Sequence, residues 1–109
     1  MPPPQHSNIL ENVGVLWYNI SMKTSKQLER HIKGVANHYR IEILLAVSKN
    51  PDITLERIVE ELDGNMKTFS EHTRRLVQAG LLNKKYQGRN VIHSLSPYGG
   101  VFVKFLKNF

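Results

Sequence analysis

The chain has 109 residues, no cysteine and a formal net charge of +6 at pH 7. That length buries one core and fits one domain, and the absence of thiols excludes disulfides, zinc–cysteine sites and cysteine nucleophiles. No apolar run reaches the roughly 20 residues that span a bilayer, and the start lacks the basic and apolar parts of a secretory leader, so the expected location is the cytoplasm.

Residues 1–7 are proline-rich and polar and read as a disordered lead. From Asn8 the chain turns apolar at Ile9, Leu10, Val13, Leu16, Trp17 and Ile20, a helical spacing, with Asn8 and Glu11 placed as a capping box. Gly14 and the β-formers Val15, Trp17 and Tyr18 keep a strand open as the alternative over residues 8–23. Thr24 and Gln27 form a second capping box, opening a helix with Leu28, Ile32, Val35 and Ala36 on one face. Asn37 is placed to cap a further helix that buries Ile41, Leu44, Leu45 and Val47 and ends at Lys49-Asn50-Pro51-Asp52.

Residues 54–82 carry the clearest pattern. Thr54 caps a helix in which Leu55, Ile58, Val59 and Leu62 share one face. A tight turn at Asp63-Gly64-Asn65 leads to a second helix, with Met66, Phe69, Thr73, Leu76 and Val77 on its apolar stripe and Gly80 as its stop. Off that stripe lie Lys67, Thr68, Ser70, Glu71, Arg74, Arg75 and Gln78. This is a helix-turn-helix pattern with a hydrogen-bonding, basic second helix.

Beyond Gly80 the periodicity changes to two. Leu82–Tyr86 and Val91–Leu95 read as strands around Gln87-Gly88-Arg89-Asn90, with Gly88 at the left-handed turn position. Ser96-Pro97 is a cap followed by proline at the first helical position, and Tyr98, Val101, Phe102, Phe105, Leu106 and Phe109 continue at helical spacing. The charge is placed unevenly. Residues 54–63 hold one basic and four acidic side chains, whereas residues 64–95 hold six basic and one acidic. A basic block that begins at the second helix of the pair points to a polyanionic partner.

This order of elements, mainly α with a small β-hairpin, is that of a winged helix-turn-helix domain with extra N- and C-terminal helices. The expected division is a helix-turn-helix at 54–80, a wing at 82–95, and terminal elements at 8–36 and 97–109 for core or dimer contacts. From about Gly34 to Tyr98 the chain resembles ArsR-type regulators, and more loosely MarR-type ones. The likeness rests on Arg40 preceding the Ile43-Leu44 pair in the segment from Gly34 to Leu44, on Ile53-Thr54-Leu55-Glu56-Arg57-Ile58, on Thr68-Phe69-Ser70-Glu71-His72 with Ala79-Gly80-Leu81-Leu82, on Gly88-Arg89, and on Leu95-Ser96-Pro97-Tyr98-Gly99. Thr73 departs from the family's usual leucine, Glu71 from its frequent basic or polar residue, and the metal-sensing cysteines of many members are missing.

The resemblance implies a homodimer on double-stranded DNA; the missing cysteines give no expectation of a metal, and no cofactor or membrane partner is expected. Lys67, Thr68, Ser70 and Glu71 are placed to reach base edges, Arg74 to contact guanine or phosphate, and Arg75 to contact phosphate. Lys84, Lys85 and Arg89 flank the wing, with Arg89 the candidate for a minor groove. His72, at the stripe's edge, suits packing or a phosphate better than a metal, and the other histidines show no ligand spacing. Leu16, Trp17, Phe102, Phe105 and Phe109 are the candidate dimer seam. A winged protein-interaction adaptor without DNA binding is the competing reading, favoured by Glu56, Glu60, Glu61, Asp63 and Glu71. An enzyme is disfavoured, because no nucleophile–base pair, phosphate-cradling glycine loop or paired carboxylates stand out.

Overall fold

The computed structural model describes residues 23–109. The lead, the element expected from Asn8, and with it Leu16 and Trp17, lie outside the described residues. Five helices and three short strands follow: α1 (Ser25–Val35), α2 (His38–Lys49), β1 (Ile53–Thr54), α3 (Leu55–Leu62), α4 (Met66–Gln78), β2 (Leu82–Gln87), β3 (Asn90–Leu95) and α5 (Pro97–Lys107).

Each helix start has a side-chain cap that satisfies amides lacking an intrahelical partner. The Thr24 hydroxyl accepts from the Gln27 amide at 3.1 Å, and the Gln27 carboxamide accepts from the Thr24 amide at 2.9 Å. Asn37 accepts from the Tyr39 and Arg40 amides, Thr54 from Arg57, Asn65 from Thr68, and Ser96 from Gly99. Helix α3 closes through Asp63 in the left-handed region at φ 53°, with the Gly64 amide returning to the Val59 carbonyl. Helix α4 closes through Gly80 at φ 79°, where the Leu81 amide reaches the Leu76 carbonyl and that of Gly80 reaches Val77.

The sheet is antiparallel in the order β1-β3-β2. The β2–β3 hairpin pairs Leu82 with Leu95 at its base and Gln87 with Asn90 at its tip. Gly88 takes φ 64° in the two-residue turn. Strand β1 adds a third member through Ile53 opposite His93. The sequence reading foresaw only the hairpin, since two residues are too few to display a period.

Ile43, Leu44 and Val47 of α2, Ile58 of α3, Phe69 and Leu76 of α4, and Leu81, Leu82 and Val103 are buried in one cluster. Full burial of such a side chain stabilises by about 1.5–3 kcal/mol. Helix α2 packs against α1, α3, α4, α5 and β3, so it buries Ile43 and Ala46 besides the expected Leu44 and Val47, while Ile41 and Leu45 are only partly covered. The apolar face expected on α1 is divided between core and solvent. Ile32 is 56% exposed, Leu28 38%, and Ala36 is exposed, whereas His31 and Val35 are buried. The helix is turned by its contact at Gly34, where an added Cβ would fall on the Ala79 methyl. Met66 is exposed as well, because it stands at the start of α4 before that helix reaches the core.

Candidate nucleic-acid interface

Helix α4 fixes the geometry of the site. Phe69, Thr73 and Leu76 point into the core, which turns Lys67, Thr68, Ser70, Arg74, Arg75 and Gln78 to solvent and leaves Glu71 partly covered. Thr73, where the resembling family has leucine, is 4% exposed, and its hydroxyl donates to the Ser70 carbonyl at 3.0 Å. A threonine that bonds back to its own helix can be buried without an unsatisfied hydroxyl, so the departure leaves the helix's inner face intact.

Glu71 is an organising charge on the outer face. Arg74 Nε donates to its Oε1 at 3.1 Å and Arg74 Nη2 to its Oε2 at 2.5 Å, while Arg75 Nε reaches Oε2 at 3.1 Å. Hydrogen bonding from Arg74 foremost, with the charges of both arginines acting against some desolvation, holds the Glu71 carboxyl below the usual range. The same bond raises the Arg74 guanidinium. The three side chains are half exposed, so the fork holds the arginines in place more than it stabilises the fold.

His72, beside this fork, packs on aromatic rings. It stacks on Tyr39 at 5.9 Å between centroids and meets the Phe69 ring edge-on at 6.0 Å. Burial first, then the charge of Arg40, lowers its pKa, with Arg75 and His38 adding and Glu71 opposing. A neutral packing residue fits that setting, and among the described residues no group of three or more His, Cys, Asp or Glu is placed to hold a metal ion.

The wing places its cations at the protein's edge. Lys84 and Lys85 on β2 and Arg89 in the turn are all exposed. The other end of β3 is tied to α4: the Ser96 hydroxyl donates to the Gly80 carbonyl at 2.6 Å and accepts from the Gly99 amide at 2.9 Å. One serine thus joins the exit of the wing, the end of α4 and the start of α5. The structure therefore brings Lys67, Thr68, Ser70, Glu71, Arg74 and Arg75 onto one face of α4, with Lys84, Lys85 and Arg89 on the adjoining hairpin.

A separate apolar surface lies between α1 and α5. Leu28, Ile32, Tyr98, Val101 and Phe102 line a groove of about 170 Å³. Phe105 is 57% exposed and Phe109 98%, while Phe102 packs partly against the core. Sequence reasoning placed Leu28 and Ile32 on one face of a helix for core or dimer contacts but did not name them among the candidate seam residues. It also missed the basic side of α1, although Lys26, Arg30 and Lys33 recur at helical spacing. No helix of the described residues is long and apolar enough to cross a membrane.

Comparison with solved structures identifies the fold as a winged helix-turn-helix. HlyU from Vibrio cholerae superposes with a TM-score of 0.72 at 23% identity, over 79% of this chain and 94% of that one. The homodimeric winged helix-turn-helix DNA-binding domain of a possible ArsR-family transcriptional regulator from Mycobacterium bovis gives 0.66 at 21% identity, over 76% and 80%. A MarR protein from Peptoclostridium difficile gives 0.64 at 20% identity, over 99% and 70%. No family model and no curated protein matches the sequence.

Proposed function

We propose that the protein is a homodimeric, sequence-specific double-stranded DNA-binding transcriptional regulator of the ArsR type that acts in the cytoplasm. The observation that carries this reading is the exposed polar and cationic face of α4 beside a cationic wing, in a fold shared with DNA-binding regulators. Helix α4 enters the major groove, where Lys67, Thr68 and Ser70 near its start reach base edges. Arg74 addresses guanine or a phosphate and Arg75 a phosphate. Lys84 and Lys85 follow the backbone, and Arg89 at the tip enters the minor groove. Glu71 holds the two arginines in register and discourages phosphate at the centre of the face. The apolar groove between α1 and α5, with Phe105 and Phe109, forms the dimer seam, and twofold symmetry then calls for a near-palindromic site.

A duplex titration across salt concentrations tests this. Affinity should fall linearly on logarithmic axes as salt rises, with a slope set by the number of phosphates contacted. Substituting Arg74, Arg75 and Arg89 together by alanine should weaken binding sharply and make the salt dependence shallower, leaving only the contribution of the lysines. Affinity and salt dependence unchanged in the triple variant place the interface elsewhere. The absence of a salt-sensitive shift at micromolar parent protein favours the adaptor reading, whose motivating feature is the acidic outer side of α3 at Glu56, Glu60 and Glu61.

A further inference from the structure

On the flank of α4, beyond its reading face, lies a recess of about 360 Å³ walled by α1, the start of α2 and the last turns of α4. Lys26, Arg30, Lys33, Arg40 and Arg75 line it, against the single acid Glu29. Two features close it. Gly34 lets the α1 backbone settle against Ala79, which is also a lining residue. His31 Nδ1 donates to the Ala79 carbonyl at 2.5 Å and fixes the same approach from one turn earlier.

The cations are weakly compensated. Lys33 meets Glu29 at 3.3 Å with both side chains mostly in solvent, so that pair screens little. Arg40 gives Nη1 to the Gly34 carbonyl at 3.0 Å, while its Nε is buried without a partner. A buried guanidinium N–H without an acceptor is costly, so the Arg40 side chain beside the recess is not fully satisfied by the protein. Arg75 faces both ways: it lines the recess and also donates to Glu71 on the reading face.

Five cations from three helices around one concavity match a multivalent oxyanion, which guanidinium forks bind in a directed manner. We propose that this recess is a phosphate-binding site whose occupant draws Arg75 away from Glu71. The site stands on its own geometry; its influence on base reading rests on the proposed DNA function. The phosphate comes either from the backbone of bound duplex or from a free phosphorylated metabolite.

The test uses the full chain, with inorganic pyrophosphate as probe at constant ionic strength, followed by NMR. The Nε–Hε signals of Arg40 and Arg75 and the amides of Lys33 and Ala79 should shift together and saturate with one midpoint. Lys26→Gln with Lys33→Gln, both at exposed positions, should weaken that midpoint by about tenfold or more while leaving the melting temperature unchanged. A shift that does not saturate, that is equal at Lys84 and Lys85, or that ignores the double substitution overturns the site; an Arg75 signal that stays still overturns the link to Glu71. Duplex titration of the same variant then separates the sources. Weaker binding with a shallower salt dependence identifies duplex phosphate, whereas binding equal to the parent's identifies a free anion. Should the parent bind no duplex, the DNA reading fails while the pyrophosphate titration still decides the recess.

Discussion

Glu71 and Arg74 are joined by two charge-assisted hydrogen bonds one helical turn apart, and the same carboxylate also holds Arg75. The centre of the proposed reading face is therefore an ion-pair fork and not a row of free cations. Glu71→Gln removes the charge while keeping the shape, so it should raise affinity for unrelated duplexes several-fold and steepen the salt dependence, at a loss of discrimination. Because the fork is exposed, the unfolding midpoint should barely move. The Glu71 carboxyl is depressed, so its contribution is present above the ordinary glutamate value and is lost as pH falls through the lower folded value. Unchanged salt dependence in Glu71→Gln would show that the arginines do not contact DNA.

Gly34 lies against Ala79 so closely that a Cβ cannot fit between them. Alanine in a helix is ordinarily favoured over glycine by about 1 kcal/mol. At this position the overpacking cost of about 1–3 kcal/mol exceeds that gain. Gly34→Ala should therefore destabilise the protein, and Gly34→Ala with Ala79→Gly should recover much of the loss. The check is denaturant midpoints of the parent, the single and the double variant. A stabilised single variant would mean that α1 does not sit where the structure places it.

Much of this architecture was legible because it is local. Thr24, Asn37, Thr54 and Ser96 cap the helices they precede, and Gly80 and Gly88 take the left-handed positions their surroundings demand. The residues of the proposed reading face follow from the burial of Phe69, Thr73 and Leu76 at helical spacing. What could not be read depends on contacts between distant segments. Leu28 and Ile32 have the spacing of a core face, yet Gly34 and His31 dock α1 along another side. Strand β1 exists only through its pairing to β3, and the recess around Arg40 exists only because three helices converge.

His93 should make the fold sensitive to acid. It is 2% exposed on β3, and burial foremost, with the charge of Lys84, lowers its pKa while a bond to the Ile53 backbone opposes. A depressed histidine is neutral in the folded state while the unfolded chain takes up its proton from about pH 6.5 downward. The unfolded state then binds more protons, so stability falls as pH drops below that value toward the folded pKa. Lowered His72 acts in the same direction. Denaturant midpoints measured from pH 7.5 to 5 should decline in the parent, less in His93→Gln, and least when His72→Gln is added. A parallel decline in all three would assign the acid sensitivity to other groups.

Phe105 and Ile32 project from α5 and α1 with more than half of their surface in solvent, and Phe109 is almost fully exposed. A monomer would keep these side chains wet beside an apolar groove, whereas a symmetric partner would bury them at about 25 cal/mol per Å². Replacing Phe105 and Ile32 together by glutamate places like charges across such a seam without touching the core. Sedimentation of the parent should give a dimer at micromolar concentration and that of the double variant a monomer, with the same helical content by circular dichroism. The monomer should also lose most of its preference for a two-half-site duplex over a single half-site, since the second contact is no longer tethered to the first. A parent that sediments as a monomer, or a double variant that remains dimeric, removes this surface from the proposed assembly.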